Sequence, residues 1–282
     1  MDIIRIPRIM RDILSKERMR GRRIGLVPTM GALHEGHLSL MRTCRAENDI
    51  SIASIFINPI QFGPKEDLDR YPRDIDGDTE KLRSLGIDLL FMPDPSSMYP
   101  EGFSTTVSAG ETAKRLCGAS RPGHFDGVST VVVKLFNIAG PDRAYFGAKD
   151  YQQTVIIKKT VKDLNIPIEI VVCPTVRESD GLAMSSRNAY LTPKERKAAA
   201  VLHKSLELVC NKVKSGIINV IELKGLFEAS LRSEPLVLDI DYASIYDPVS
   251  LMELKTVEGE AVAASAIRIG STRLIDNMPV KR

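Results

Sequence analysis

Residues 24 to 40 read "IGLVPTMGALHEGHLSL" and predict a strand, a loop and a helix in succession. The apolar run at 24–27 before a proline is typical of a buried strand. Apolar residues at helical spacing then predict a helix over about 35–48. A short strand that leads through a glycine-containing loop into a helix is the unit from which α/β folds are built.

The same alternation continues through the first two thirds of the chain. Parallel strands joined by helical crossovers form a sheet covered by helices on both faces. The spacing therefore predicts a doubly wound parallel α/β sheet. Its further strands are predicted at 50–58, 87–91, 143–147 and 168–174, and its helices at 78–86, 128–140 and 149–165.

The pattern changes after Thr175. A polar loop ends at Thr192-Pro193, a good N-cap followed by proline at the first helical position. Helices are predicted over 193–214 and 220–233, and alternating segments at 238–247, 261–270 and 272–277 predict antiparallel strands. We expect two domains, a catalytic domain over 1–176 and a smaller C-terminal α+β domain over 177–282.

Composition narrows the class of protein. The 282 residues carry a formal net charge of +3 and are 43% hydrophobic, as in ordinary globular proteins. A weakly basic chain with no Trp and 5% aromatics suits small anionic substrates and argues against nucleic acid as a partner. Four cysteines without a C-x-x-C pair favour a reducing compartment. With neither a signal peptide nor a membrane span in the pattern, we expect a cytoplasmic protein that does not bind membranes.

His34 and His37 permit three interpretations. As metal ligands they lack partners, because zinc needs at least a third ligand and His124 is the only plausible one. As core or surface groups they would be satisfied by their neighbours and bind nothing. As phosphate ligands they stand where a doubly wound sheet binds nucleotides, at a helix N-terminus that offers N–H groups and a positive dipole end. Gly31 and Gly36 would let a nucleotide approach the backbone, so spacing favours the third interpretation.

Other polar groups also follow predicted strands. Lys149 lies at the start of the helix predicted at 149–165, where it would reach a phosphate. The stretch "GLAMSSRN" at 181–188 suits a mobile phosphate clamp. Asn58 ends the strand predicted at 50–58, and Gln61 follows it. A further polar group, at Arg121, His124 and Asp126, precedes a helix. Because the carboxyl ends of parallel strands share one edge, we expect several of these side chains to meet there.

Five stretches in order resemble the signature sequences of the pantothenate synthetases, the pantoate–β-alanine ligases. They are "PTMGALHEGH", "NPIQFGP", "RPGHFDGV", "GAKDYQQ" and "PTVRESDGLAMSSRN". The resemblance covers nearly the whole chain and is strongest from Val27 to about Leu191. It implies a Rossmann-like nucleotidyltransferase in which "HEGH" stands for the HIGH motif and "MSSR" for KMSKS, with a C-terminal lid domain and a homodimer.

The resemblance also implies a reaction. The carboxylate of (R)-pantoate would attack the α-phosphate of ATP to give pantoyl-adenylate and pyrophosphate, with Mg²⁺ required. The amine of β-alanine would then displace AMP to give pantothenate. The protein would mainly place the reactants and stabilise charge.

The same resemblance assigns residue roles. The catalytic set would be His34, His37, Lys149, Ser185, Ser186 and Arg187. The nucleotide would be bound by Met30, Gly31, Ala32, Leu33, His34, Glu35, Gly36, His37, Gly147, Ala148, Lys149, Asp150, Val176, Met184, Ser185, Ser186 and Arg187. Pantoate would be bound by Gln61 and Gln153, with Asn58, Tyr71 and Arg121 as further candidates.

Two points depart from the pattern or stay open. Ala148 stands where the family usually has a polar or acidic residue, and Arg187 carries the charge of a loop without lysines. The ligands of Mg²⁺ are unknown. Asp74, Asp76 and Asp78 are candidates, and the alternative is that the nucleotide phosphates hold the ion. The alternative function within enzymes is an adenylyltransferase acting on another small acceptor. It would share the histidine motif but would have no amine-dependent second step.

Overall fold

The computed structural model describes residues 1–64 and 66–282. Its strands are β1 Asp2–Ile4, β2 Ile24–Thr29, β3 Ile50–Ile55, β4 Leu89–Phe91, β5 Arg143–Gly147, β6 Glu169–Cys173, β7 Val237–Tyr246, β8 Ala261–Ile269 and β9 Thr272–Val280. Its helices are α1 Pro7–Met19, α2 Glu35–Glu47, α3 Ile75–Ser84, α4 Pro95–Met98, α5 Cys117–Ser120, α6 His124–Ala139, α7 Tyr151–Asp163, α8 Pro193–Ala199, α9 Val201–Lys214 and α10 Val220–Arg232. Within these described residues, none of the helices combines the length and apolar composition that a membrane crossing needs.

The described chain divides into two compact units. The first comprises Met1–Ala113, Arg121–Ala148 and Gln153–Pro174. The second comprises Lys114–Ser120, Lys149–Gln152 and Thr175–Arg282. Short segments before α6 and at the start of α7 thus group with the C-terminal part of the chain. The predicted domain boundary after residue 176 stays a prediction.

The first unit is built on a parallel sheet, which in the described residues has six strands in the order β1-β4-β3-β2-β5-β6. From β2 the chain adds β3 and β4 on one side of the sheet and β5 and β6 on the other, with β1 at the edge beside β4. The strand order therefore reverses between β2 and β5, and such sheets bind ligands at this switch point. Neighbouring strands are in register as parallel pairs, for example Leu26 with Ile52 and with Ala144. The predicted doubly wound α/β sheet is confirmed.

Helices cover both faces of this sheet. On one face α2 and α3 bury a cluster that includes Val27, Met41 and Cys44. Because strand side chains alternate between faces, Leu26 and Ile52 point the other way, where α6 contacts β2 and α1 packs against α6. Cysteines behave as small core residues: all four are buried free thiols, and burial raises the pKa of Cys44 to about 12.

The second unit contains an antiparallel sheet, β7-β8-β9, with α9 and α10 packed against it. Its core includes Leu206, Phe227 and Ile267, all completely buried. The predicted C-terminal α+β architecture is confirmed, as is the capping box of Thr192 with Glu195 at the start of α8. The single helix predicted over 193–214 is wrong in one respect, because α8 and α9 are separate and meet at Ala200.

Candidate functional site

The loop between β2 and α2 has an unusual backbone conformation. Gly31 has a φ of +87° and Ala32 a φ of +52°, in the left-handed region that costs energy for a residue with a side chain. The Thr29 hydroxyl accepts a hydrogen bond from the Gly31 N–H at 3.2 Å and donates one to the Ser54 carbonyl at 2.7 Å. The loop is thus tied to the neighbouring strand β3 at its first turn.

A buried carboxylate on α3 holds the rest of this loop. Asp78, 1% exposed, accepts hydrogen bonds from the Ala32 and Leu33 N–H groups, both at 2.7 Å. Lys81 lies one turn further along α3. Its Nζ donates to the Leu33 carbonyl at 2.9 Å and lies 3.6 Å from Asp78 Oδ1. Charge-assisted bonds of this kind are about twice as strong as neutral ones. Together they compensate the strained backbone.

The two histidines at the start of α2 cap the helix reciprocally. Nδ1 of His34 accepts a hydrogen bond from the Gly36 N–H at 3.2 Å. Nδ1 of His37 accepts one from the His34 N–H at 3.4 Å, which completes a capping box. The ring centroids are 4.1 Å apart. Because Nδ1 is an acceptor in both rings, each neutral imidazole carries its proton on Nε2.

This tautomer determines what the pair can do chemically. The Nε2–H groups are the donors with which these rings would bind an anion, at the positive end of the α2 dipole. The neighbouring Glu35 carboxylate, whose charge would oppose an anion, accepts a hydrogen bond from Arg42, which lowers the pKa of Glu35. Phosphate binding by this pair of histidines stays a prediction.

The polar group after β3 is buried and internally bonded. Asn58 is 1% exposed, and its Nδ2 donates to the Gly127 carbonyl and to Gln61 Oε1, both at 3.0 Å. Gln61 Nε2 in turn donates to the Met30 sulfur at 3.1 Å. The structure therefore brings together Met30, Asn58 and Gln61, three of the predicted site residues, at the end of β3.

Arg121 takes part in a second network that reaches Gln61 through the backbone. Its guanidinium forms a two-pronged ion pair with Glu66 and donates to His124 Nε2 at 2.9 Å. His124 Nδ1 donates to the Gln61 carbonyl at 2.8 Å. Because arginine can only donate, this contact makes Nε2 of His124 the acceptor and Nδ1 the donor. This network also gives His124 another role than zinc ligand.

The remaining predicted pantoate residues are Tyr71 and Gln153. Tyr71 is 7% exposed and its ring meets that of Phe62 edge-on, with centroids 6.1 Å apart. Gln153 lies half-buried in the first turn of α7. Their roles as pantoate ligands stay predictions.

In the second unit, Lys149 lies in a short 3-10 turn, Ala148–Asp150, directly before α7. Its Nζ is 3.6 Å from Asp150 Oδ1, and its carbonyl accepts a hydrogen bond from Asn277 Nδ2 at 2.9 Å. The turn is thus anchored through its backbone to β9. Lys149 stands two residues after the end of β5, as the sequence predicts, and its role toward phosphate stays a prediction.

The stretch from Val176 to Met184 forms a small hairpin. The Met184 N–H donates to the Val176 carbonyl at 3.0 Å, and Arg177 pairs with Ala183. Gly181 in the turn has a φ of +92°, and a Cβ there would lie 1.9 Å from the His203 ring. Glycine is therefore required both by conformation and by close approach.

Ion pairs anchor this hairpin at its base and at its turn. At the base, Arg177 donates to both oxygens of the fully buried Asp276 carboxylate, at 2.6 and 3.0 Å. At the turn, Arg196 contacts Glu178 and Asp180, and these side chains are between 26% and 38% exposed. The hydrogen bond from Arg196 lowers the pKa of Asp180.

The "MSSR" segment continues directly from the hairpin. Ser185 caps a 3-10 turn, Ser186–Tyr190, by accepting a hydrogen bond from the Arg187 N–H at 3.3 Å. Asn188 Nδ2 donates to Glu178 Oε1 at 3.2 Å and to the Ala183 carbonyl at 3.1 Å. The predicted phosphate clamp is therefore a defined turn tied back to the hairpin. Its contact with phosphate stays a prediction.

The acidic run considered for metal binding has other roles. Asp74 caps α3 by accepting a hydrogen bond from the Gly77 N–H at 3.0 Å, and Asp78 holds the β2–α2 loop. In residues 1–64 and 66–282, no group of three or more His, Cys, Asp or Glu side chains is arranged to hold a metal ion.

Sequence reasoning missed the supporting residues. The sequence indicated Asp78 only as a candidate metal ligand. It gave no indication of Tyr99, which donates to Asn58 Oδ1 at 2.6 Å, or of Asp276, which pairs with Arg177. Asp78 carries a weak signal, since it follows the start of α3 in a run of carboxylates. Tyr99 and Asp276 act through contacts with residues 41 and 99 positions away, which no local pattern reports.

Comparisons with known proteins agree over the full chain. Residues 2–279 match the family model described as pantoate-beta-alanine ligase. The chain is 54% identical over 284 residues to a pantothenate synthetase from Thermodesulfovibrio yellowstonii, with 100% of both chains covered.

Solved structures show the same fold. The crystal structure of pantothenate synthetase from Thermus thermophilus matches with a TM-score of 0.95 at 45% identity, covering 100% of both chains. A pantoate-beta-alanine ligase from Francisella tularensis, complexed with beta-gamma ATP and beta-alanine, matches with a TM-score of 0.81 at 36% identity. That match covers 99% of this chain and 97% of the other.

Proposed function

The chain belongs to the pantoate–beta-alanine ligase family, and on this basis we propose that it condenses (R)-pantoate with β-alanine to pantothenate in an ATP-dependent reaction. The resemblance seen in five sequence motifs is confirmed at the level of the family. The observation that carries the proposal is the histidine loop, in which two capped imidazoles with Nε2–H donors stand at the start of α2 after β2.

In the first step, a pantoate carboxylate oxygen attacks the α-phosphorus of ATP and pyrophosphate leaves. A carboxylate is a poor acyl donor because its leaving group would be oxide, and adenylation supplies a better one. Negative charge builds on the phosphate oxygens as the bond to pyrophosphate breaks. The Nε2–H groups of His34 and His37, with Lys149 and Arg187, would stabilise that charge. Mg²⁺ bound to the nucleotide would neutralise part of it.

In the second step, the amine of β-alanine attacks the acyl carbon of pantoyl-adenylate, an amide bond forms and AMP leaves. The amine must lose a proton during this step. Gln61 and Gln153 would hold pantoate, since uncharged amides suit the hydroxyl groups of this acid. The main contribution of the protein is to bring the reactants into line.

Steady-state analysis of products tests the proposal. The purified protein, supplied with ATP, Mg²⁺, (R)-pantoate and β-alanine, should form equal amounts of pantothenate, AMP and pyrophosphate. Formation of ADP and phosphate would contradict an adenylate intermediate. Absence of pyrophosphate release with pantoate, together with AMP transfer to a different small acceptor, would indicate the adenylyltransferase alternative instead.

Two further expectations from the family belong to this proposal. We propose a homodimer and a cytoplasmic location, both supported by the resemblance alone. Light scattering coupled to gel filtration gives the mass of the assembly: twice the chain mass of 31.2 kDa is expected, and a mass equal to one chain would contradict the dimer.

A further inference from the structure

The orientation of the Asn58 amide is determined by its neighbours. The Gly127 carbonyl can only accept, so the atom of Asn58 that faces it must be Nδ2. The same Nδ2 donates to Gln61 Oε1. Oδ1 therefore points to the Tyr99 hydroxyl, which donates to it at 2.6 Å. The amide is 1% exposed, and both of its ends have partners within the protein.

The orientation of the Asn58 amide determines that of the Gln61 amide. Because Oε1 of Gln61 accepts from Asn58, the Nε2–H group faces the other way, where it meets the sulfur of Met30 at 3.1 Å. A thioether is a weak acceptor, so an incoming oxygen atom would be a better partner for this N–H. The hydroxyl and carboxylate oxygens of pantoate are such acceptors. Gln61 thus offers a donor to the substrate because Asn58 has taken its acceptor.

Tyr99 is well suited to act as the first donor. Its ring meets the ring of Phe103 edge-on with centroids 5.0 Å apart, and that of Phe56 at 6.0 Å. These contacts restrict the position of the hydroxyl. Burial raises the pKa of Tyr99 well above its ordinary value, so the phenol stays protonated and remains a donor at working pH.

We propose that Tyr99 is a positioning residue for pantoate, which acts through Asn58 to keep the Gln61 amide turned with its N–H toward the substrate. The inference rests on the proposed function, from which pantoate is taken as the ligand. Without the Tyr99 hydroxyl, the buried Asn58 oxygen would lose its donor. The Gly127 carbonyl would still require Nδ2 on its side, so the Asn58 amide would not rotate but would be held only through Nδ2. Nδ2 would then hold Gln61 Oε1 less firmly, and the Gln61 N–H would be less well fixed toward the substrate.

The backbone of Gln61 has separate support. His124 donates to its carbonyl, and a Cβ on Gly127 would lie 2.5 Å from the Ile60 carbonyl, so α6 and this turn are in close contact. Loss of the Tyr99 hydroxyl leaves both of these contacts in place. The expected consequence is therefore a less well fixed Gln61 amide, with the fold of the loop retained.

Kinetics of Tyr99→Phe test the proposal, because phenylalanine keeps the ring packing and removes only the donor. We expect KM for pantoate to rise about tenfold, the scale of one buried hydrogen bond left unmade. KM for ATP should change little. A KM for pantoate equal to that of the wild type would overturn the proposal.

Tyr145→Phe is the matched control. Tyr145 is also a buried tyrosine, and its hydroxyl bonds to Asn48 at 2.7 Å and Glu47 at 2.8 Å, at the end of α2. This variant should lose stability without raising KM for pantoate. If both variants raised KM for pantoate alike, the effect of Tyr99→Phe would come from general destabilisation and the proposal would fail.

A double variant separates positioning from packing. If Tyr99 acts through the Gln61 amide, Tyr99→Phe should add less than about twofold to KM for pantoate in a Gln61→Leu background. An undiminished tenfold effect there would contradict the proposed route. A wild-type protein that makes no pantothenate would refute the proposed function itself, whereas an active wild type with an unaltered Tyr99→Phe variant would refute only this inference.

Discussion

The loop after β2 and the stretch 181–188, which begins in the hairpin from Val176 to Met184, are both predicted to handle phosphate, yet the loop and this hairpin are held in different ways. The first is held by one carboxylate, Asp78, which is 1% exposed and bonds two backbone N–H groups. The second has a buried ion pair at its base, but its turn depends on Arg196 and two carboxylates that water and salt can reach.

This difference indicates a difference in function. The buried clamp and the capping box set the donor directions of His34 and His37 before any ligand binds, which is what charge stabilisation in a transition state requires. Exposed ion pairs are weak, so these pairs hold the turn at Gly181 less firmly than the buried Asp78 carboxylate holds the loop after β2. We infer that the loop and helix start that carry His34 and His37 are fixed, and we call them the histidine platform. We infer that the hairpin leading into 181–188 is more easily adjusted.

The largest effect should come from the platform itself. His37→Ala removes a donor to the developing charge, and we expect pyrophosphate release to slow at least about 10²-fold. Rapid-quench measurement of pyrophosphate gives the rate of this step. A variant that folds by circular dichroism and keeps the wild-type rate would show that the platform is not catalytic.

Asp78→Asn tests whether the platform needs its buried charge. An amide cannot accept from both backbone N–H groups as the carboxylate does, so we expect a loss of about 2 kcal/mol in the free energy of unfolding and a rate about tenfold lower. Urea titration and the pyrophosphate assay measure the two effects. Asp76→Asn, an exposed neighbour on the same helix, is the control and should change neither. An equal effect of both variants would favour the alternative that this acidic run binds a metal.

Gly181→Ala tests the turn of the hairpin. Gly181 and Gly216 both have positive φ, +92° and +103°, but only at Gly181 would a Cβ meet a neighbour. Both alanines should lose about 1 kcal/mol from backbone strain, and Gly181→Ala should also raise KM for ATP a few-fold as the turn moves away from His203. If Gly216→Ala raised KM for ATP equally, the position of this turn would not matter for ATP.

The smallest effect is expected at the exposed ion pairs. Arg196→Gln should cost up to about 1 kcal/mol, and raising salt from about 0.05 to about 0.5 M should reduce the difference from wild type. Arg196 lowers the pKa of Asp180 below its ordinary value of 3.8, so this contribution is present at neutral pH and is lost only as pH falls below about 4. Melting temperatures between pH 7 and 3 measure it. A difference that disappeared already between pH 7 and 6 would contradict this assignment.

Local patterns in the sequence were enough for most of the fold. The predicted strand and helix around the histidine loop appear as β2 and α2, since their apolar spacing matches the faces that are buried. The Thr192 cap was readable for the same reason, because its signal lies within four residues. By contrast, β1 has only three residues and was missed, since it is stabilised as a strand by pairing with β4 far along the chain.

The sequence predicted the candidate site only in part. The motif residues could be named from the sequence, but their supports could not. Asp78 and Tyr99 act across 46 and 41 positions of sequence on Ala32 and Asn58, and no periodicity carries such contacts. The directions of the imidazole and amide donors follow from these contacts, so they required the three-dimensional arrangement.

Pyrophosphate measured in a single turnover without β-alanine tests the central claim most directly. The protein, mixed with ATP, Mg²⁺ and (R)-pantoate, should release an amount of pyrophosphate equal to its active sites and then stop. Later addition of β-alanine should yield pantothenate and AMP. No pyrophosphate before β-alanine is added, while pantothenate still forms in its presence, would contradict the adenylate intermediate on which the role of the histidine platform depends.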